Sequence, residues 1–246
     1  MGIIGLITSG KGGTGKSTVS VGLGSALAAR GESVLLIDGD AGLRCLDVML
    51  GVESRMVYDL SDIFSRNCEP IRAIYASPIY DGLSLISSPA ALEKMCSPFE
   101  MRSLLSGLSQ HFNHVLVDCP AGIGEGFKCA SAAAQRALVV CTGDIVCARD
   151  ACVVSHMLER AEIPARLIVN RVRYDLVVKG KLPDIDEIMD TSETPLFGIV
   201  PDDDDLTIAT TGGMPIPDGC RAAMCFKNMA RRYLGEMVPL TAIGRT

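Results

Sequence analysis

Gly10-Lys11-Gly12-Gly13-Thr14-Gly15-Lys16-Ser17-Thr18 decides how the rest of the chain is read. An apolar run, Ile3-Ile4-Gly5-Leu6-Ile7, precedes it, and a helix-like segment, Lys16 to Arg30, follows. Within the stretch, Gly10, Gly15, Lys16 and Ser17 make G-x-x-x-x-G-K-S. Strand, glycine loop and helix in that order are the setting that turns a text match into a phosphate site. Glycines let backbone N–H groups converge on an anion, and the helix behind them adds unpaired N–H groups and the positive end of its dipole. Gly12, Gly13, Thr14, Gly15 and Thr18 are therefore expected around the phosphates of a nucleotide, ATP or ADP. Lys16 is expected to reach the β- and γ-phosphates, and the Ser17 hydroxyl to ligate Mg²⁺. Lys11 is a second lysine inside the same loop.

Working outward, further short apolar runs follow at Ser33–Asp38, Leu83–Ser87, His114–Asp118, Arg136–Thr142, Ala165–Asn170 and Pro195–Val200. They are nearly continuous rather than alternating, as in parallel strands buried on both faces. Helical segments are expected between them, at Leu43–Leu50, Pro98–Phe112, Glu125–Gln135, Ile145–Arg160 and Ile185–Thr191. A last helix is expected at Arg221–Met237, followed by a tail over 238–246. The alternation predicts an α/β fold: one doubly wound, mostly parallel sheet with helices on both faces, as a single domain over 1–246. Function then belongs at the carboxyl ends of the strands.

Two strand ends carry carboxylates. Leu35-Leu36-Ile37-Asp38-Gly39-Asp40 ends one strand, and Val115-Leu116-Val117-Asp118-Cys119-Pro120-Ala121-Gly122 ends another. Four apolar residues and an Asp at the end of a parallel strand is the Walker-B arrangement. Asp118 is expected in the Mg²⁺ shell, and Gly122 can meet a γ-phosphate through its N–H. Asp40 is placed to align the attacking water, and it is a further candidate for the metal shell. For both aspartates a helix cap or loop carboxylate remains the alternative. Asn170 ends another strand, where its amide could pair with adenine or could form a turn. Pro201 and Asp202, after the last strand, could flank the base. The acidic run Asp202-Asp203-Asp204-Asp205 is expected to solvate a loop and cap a helix.

Composition excludes several classes. The 246 residues are 48% hydrophobic with a formal net charge of −6 and no Trp, which disfavours a nucleic-acid surface. Ten cysteines occur without a C-x-x-C pair and read as reduced thiols used as small hydrophobes. The three histidines, His111, His114 and His156, are read as structural, without ligand spacing. No secretory leader and no run of membrane-span length is evident, so a cytoplasmic protein is expected, with the inner face of the membrane as an open alternative.

Taken together, these residues resemble the MinD/ParA branch of P-loop ATPases, whose deviant Walker A motif reads K-G-G-x-G-K-[ST]; here it is Lys11 to Ser17. Asp38-Gly39-Asp40-Ala41-Gly42-Leu43-Arg44-Cys45-Leu46-Asp47 and Val117-Asp118-Cys119-Pro120-Ala121-Gly122-Ile123 carry the resemblance most specifically. Arg149-Asp150, the segment Asn170-Arg171-Val172-Arg173 and Gly198-Ile199-Val200-Pro201-Asp202 extend it, placing Arg171 among the nucleotide contacts. The resemblance implies a slow, partner-stimulated ATPase that forms an ATP-dependent homodimer, in which Lys11 reaches the partner subunit's phosphates. Septum-site placement is the implied role, with a MinC-like effector and a MinE-like or other activator as partners. A DNA-partition ATPase, a flagellar-number regulator and a metabolic or redox enzyme are the competing readings. The Arg221–Met237 segment matches the branch's last core helix. No evident C-terminal membrane anchor follows it, which leaves binding to a membrane surface open.

Overall fold

The apolar runs pair into one sheet. The computed structural model describes residues 1–40, 44–89 and 96–240. In chain order the elements are β1 (Ile3–Thr8), α1 (Lys16–Ala28), β2 (Val34–Asp38), α2 (Leu46–Met49), α3 (Leu60–Phe64), β3 (Tyr75–Ala76), β4 (Leu83–Ile86), α4 (Pro98–Leu108) and β5 (His114–Asp118). They continue as α5 (Glu125–Ser131), β6 (Arg136–Thr142), α6 (Ile145–Arg160), β7 (Ala165–Val172), α7 (Tyr174–Val178), α8 (Ile185–Ser192), β8 (Leu196–Pro201), α9 (Asp204–Thr211) and α10 (Arg221–Tyr233). The strand order is β3-β4-β2-β5-β1-β6-β7-β8. Every pairing is parallel except that of β3 with β4.

Near-continuous apolar strands follow from burial on both faces. Successive residues enter opposite cores: Leu35 and Ile37 join one cluster with Val115 and Val117, while Val34 and Leu36 join the other with Leu116. The first cluster is covered by α4, α5 and α6, through residues such as Met101, Phe127 and Ala151; the second by α1, α9 and α10, through Leu23, Leu206 and Phe226. Phe226 packs so closely on α1 that a Cβ at Gly22 would lie 2.3 Å from its ring. The expected layering holds, and α10 is a core helix: Ala222, Phe226, Met229, Ala230 and Tyr233 are all buried.

Several boundaries differ from expectation. The last helix stops at Tyr233, not Met237. Gly235 turns to a φ of +92°, its N–H donates to Arg232 O, and the Glu236 N–H donates to Arg231 O. Such a left-handed cap ends a helix because glycine carries no Cβ to clash. The Arg232 side chain then holds the carbonyls of Val238 and Phe197. Residues 241–246 of the expected tail lie outside the described residues. So do Leu43, the expected start of the helix observed at Leu46–Met49, and Ala41 and Gly42 of the Asp38–Asp47 stretch. α3, α7 and α9 are additional. Asp59 caps α3 in a reciprocal box with Asp62, and Asp203 of the acidic run caps α9, as expected of that run. Among the described residues no helix is long and apolar enough to cross a membrane.

Candidate functional site

The glycine loop joins β1 to α1 at the carboxyl edge of the sheet. Gly15 caps α1 in the left-handed region, φ +88°, with no side chain capping the helix and no acidic residue in its first turn. The first-turn N–H groups are therefore left for an anion. Gly12 and Gly13 have nothing within 4 Å of where a Cβ would stand, so the cradle is open on that side. Lys16 is buried at the start of α1, and Ser17 follows it.

Strand order brings the two carboxylates together. β2 lies beside β5 in register, with Asp38 opposite Asp118, and each is only 2% exposed. Asp38 Oδ1 accepts the Asp40 N–H at 3.0 Å, whereas Asp38 Oδ2 and Asp118 Oδ1 are buried without a hydrogen-bond partner. Burial, reinforced by the charge of Asp118, pushes the Asp38 carboxyl up to about 7. Burial also lifts Asp118 to about 6, against the hydrogen bond from Ser17 and the charge of Lys16. Two desolvated carboxylates with orphaned oxygens beside a Ser hydroxyl suit a hard, oxygen-seeking cation. These residues fit Mg²⁺.

Asp38 is the site residue that sequence reasoning missed. Its role follows from its neighbour across the sheet, which no spacing in the chain reveals. A folded carboxyl that holds its proton more tightly than the unfolded one stabilises fully only below the ordinary carboxylate range. That contribution is lost as the pH rises through about 7. Asp38→Asn keeps the acceptor for the Asp40 N–H and removes the charge. In the absence of Mg²⁺ and nucleotide it is expected to stabilise the chain at alkaline pH, on the order of 2–4 kcal/mol. The gain should shrink by roughly 1.4 kcal/mol per unit below about pH 7. Urea unfolding across this range checks it; a gain independent of pH would refute the assignment.

Asp40 is half-buried, and burial raises its carboxyl while Lys16 lowers it. Its backbone is fixed on both sides, by the Asp38 contact and by the Ser88 hydroxyl, which donates to Asp40 O at 3.1 Å. Lys11 Nζ is 3.6 Å from Asp144 Oδ1, and the two side chains are 39% and 42% exposed. Asp144 caps α6 by accepting the Cys147 N–H at 2.8 Å.

Two of the candidate nucleotide contacts are made within the protein here. Gly122 was expected to offer its N–H to a γ-phosphate; here it donates to Ser9 O at 3.1 Å, closing the segment after β5 onto the loop. Asn170 is read from the sequence as either an adenine partner or a turn residue. It is 2% exposed and donates Nδ2 to Thr14 O at 2.8 Å. A Cβ at Gly15 would stand 2.2 Å from that nitrogen, so the loop and Asn170 fit only because position 15 is glycine. Arg171, at φ +55°, brings its Nε within 4.0 Å of the same point. Pro201 is buried, and Asp202 is exposed with its N–H on Val172 O. Thr14 is buried and Thr18 half-buried on α1.

The histidines also need one correction. His114 is buried against Glu32, as a structural residue is. His156, expected to lack ligand spacing, stands one helical turn from Cys152 on α6 and 3.1 Å from Glu193. The third partner is distant in sequence, which hid the group. All ten cysteines are free thiols, and burial lifts Cys96, Cys119 and Cys141 to about 12, as suits small core residues rather than cluster ligands.

Comparison with known proteins agrees with this geometry. Residues 6–216 match the family model described as the CobQ/CobB/MinD/ParA nucleotide binding domain. The septum site-determining protein MinD of Bacillus subtilis is 43% identical over 246 residues, covering 97% of this chain and 91% of the relative. MinD in the MinC:MinD cell division protein complex of Aquifex aeolicus superposes with a TM-score of 0.92 at 33% identity, over 99% of this chain and 100% of that one. The Pyrococcus horikoshii MinD complexed with Mg-ADP gives a TM-score of 0.86 at 26% identity, over 95% and 96%. On both the family model and near-full-length identity, the chain belongs to the MinD family of septum site-determining proteins.

Proposed function

We propose that this chain is an ATP-hydrolysing switch in cell-division site placement, built on a single P-loop domain. It binds ATP and ADP with Mg²⁺, dimerises with ATP and returns to monomers on hydrolysis. The observation that carries this reading is the pairing of the open glycine cradle with two buried, partnerless carboxylate oxygens at the ends of the next two strands. Lys16 and the free N–H groups of α1 hold the phosphates, and Gly12 to Thr18 surround them. Ser17, Asp118 and, through its shell, Asp38 would hold Mg²⁺, with Asp40 at its margin. When bound, Mg²⁺ supplies positive charge to the phosphate oxygens. Asp40 orients the attacking water toward the γ-phosphate. Gly122 is positioned to exchange Ser9 O for a phosphate oxygen, and Asn170 keeps the loop in shape from below. Arg171, Pro201 and Asp202 border the base end of the site.

Lys11 completes the site of the partner subunit. The complex of the Aquifex relative with MinC makes a MinC-like protein the expected effector, and a MinE-like or other activator is expected to stimulate turnover. A cytoplasmic location is part of this reading, with the inner face of the membrane as the alternative that the vesicle arm of the test decides. The test is co-sedimentation with anionic vesicles and with DNA, each with ATP and with ADP, alongside size measurement. An ATP-dependent dimer that ignores DNA is expected. ATP-dependent DNA binding, falling steeply with salt, would replace this reading by a partition ATPase.

A further inference from the structure

Far from the nucleotide loop, three donor side chains of different chemistry meet between α6 and α8. Cys152 and His156 share a face of α6 at i and i+4, and Glu193 stands at the carboxyl end of α8. His156 Nδ1 is 4.0 Å from Cys152 Sγ, and His156 Nε2 is 3.1 Å from Glu193 Oε2. One donor atom from each lies within 4.8 Å of the others. The place is the amino edge of the sheet, beside the starts of β7 and β8, opposite the glycine loop.

The group is held, not merely adjacent. Ser155 and Thr194, the neighbours of His156 and Glu193, share a buried hydroxyl–hydroxyl bond of 2.6 Å, and Thr194 also donates to Ser192 O at 2.7 Å. Glu193 adopts a left-handed backbone, φ +50°, that is uncommon for a residue with a side chain. It turns the carboxylate back to α6. A cavity of about 510 Å³ opens alongside, lined by His156, Glu193, Glu159 and Glu162 among others. It offers an entry path and two further carboxylates.

We propose that Cys152, His156 and Glu193 form a binding site for a divalent transition cation of the Zn²⁺ class, clamping α6 to the end of α8. Sulfur, imidazole and carboxylate together select such an ion over Mg²⁺ or Ca²⁺, which seek oxygen alone. Tetrahedral bonds of about 2.3 Å to sulfur and about 2.0 Å to nitrogen put those donors roughly 3.5 Å apart. The observed spacing reaches this by small rotations of half-exposed side chains. Water or Glu159, one turn beyond His156, supplies the fourth ligand. The role is structural: the ion joins two elements and leaves the phosphate site untouched.

The test titrates the metal-stripped full chain with Zn²⁺ and, separately, with Co²⁺, in the wild type and in Cys152→Ser, His156→Ala and Glu193→Gln. Retained ATP turnover reports that each variant folds. One Zn²⁺ per chain is expected, with a thiolate-to-cobalt charge-transfer band on the Co²⁺ form. The band should vanish in Cys152→Ser, and Zn²⁺ affinity should fall in every variant by more than roughly tenfold, the scale reached even by residues that only support a ligand. Zn²⁺ binding should also raise the melting temperature of the wild type alone. No Zn²⁺ binding by the wild type, or an undiminished cobalt band in Cys152→Ser, would overturn the proposal.

Discussion

Lys11→Ala is expected to abolish ATP-dependent dimerisation and to lower ATP turnover by about 10³-fold or more. That is the scale on which a cation delivered to a departing phosphate in trans acts. Nucleotide affinity of the isolated chain should change little. In the single chain the Lys11 ammonium pairs with Asp144 at 3.6 Å. That contact is half exposed to solvent, and exposed pairs of this kind hold only about 0–1 kcal/mol. A phosphate cluster of higher charge density in a drier interface draws the lysine away readily. Lys16, by contrast, is buried at the first turn of α1 and serves its own loop. Sedimentation velocity with ATP and a steady-state phosphate assay separate the two roles. A variant that dimerises and turns over normally would remove Lys11 from the reaction.

Asp40→Ala should give the opposite phenotype, a dimer that forms with ATP and persists. Loss of a group that aligns and polarises the attacking water typically costs about 10²–10⁴-fold in rate. ATP affinity should hold, because the backbone contacts of residue 40 with Asp38 and Ser88 do not need its carboxylate. The alternative, a loop carboxylate without chemistry, predicts unchanged turnover. Single-turnover hydrolysis combined with dimer lifetime distinguishes these outcomes. Fast hydrolysis with a normal lifetime would refute the assignment.

Much of this was legible in the sequence because the physics was local. Two-faced burial wrote β1, β2, β5 and β6 as uninterrupted apolar runs, and their limits were read to within a residue. The glycine loop was legible because close approach of backbone to phosphate leaves so few residue types. Elements with little buried surface were not legible. β3 is two residues long, and α7 buries none of its side chains. α3 was marked by the Asp59–Asp62 box, a signal that was overlooked. Register and strand order account for the contacts that no local pattern shows. Asp38 is raised first by burial in the sheet and then by the Asp118 charge that the pairing of β2 with β5 sets beside it, and Asn170 meets Thr14 across more than half the chain. The hydrogen bond from Gly122 to Ser9 likewise joins two loops that share no pattern.

The packing of Phe226 against Gly22 has a mechanical consequence. α10 rests on the same helix whose opening turn faces the phosphates, with no layer of side chain at that point to absorb displacement. The two helices are therefore held at one fixed separation there, and any side chain larger than that of Gly22 would have to push α10 away from α1.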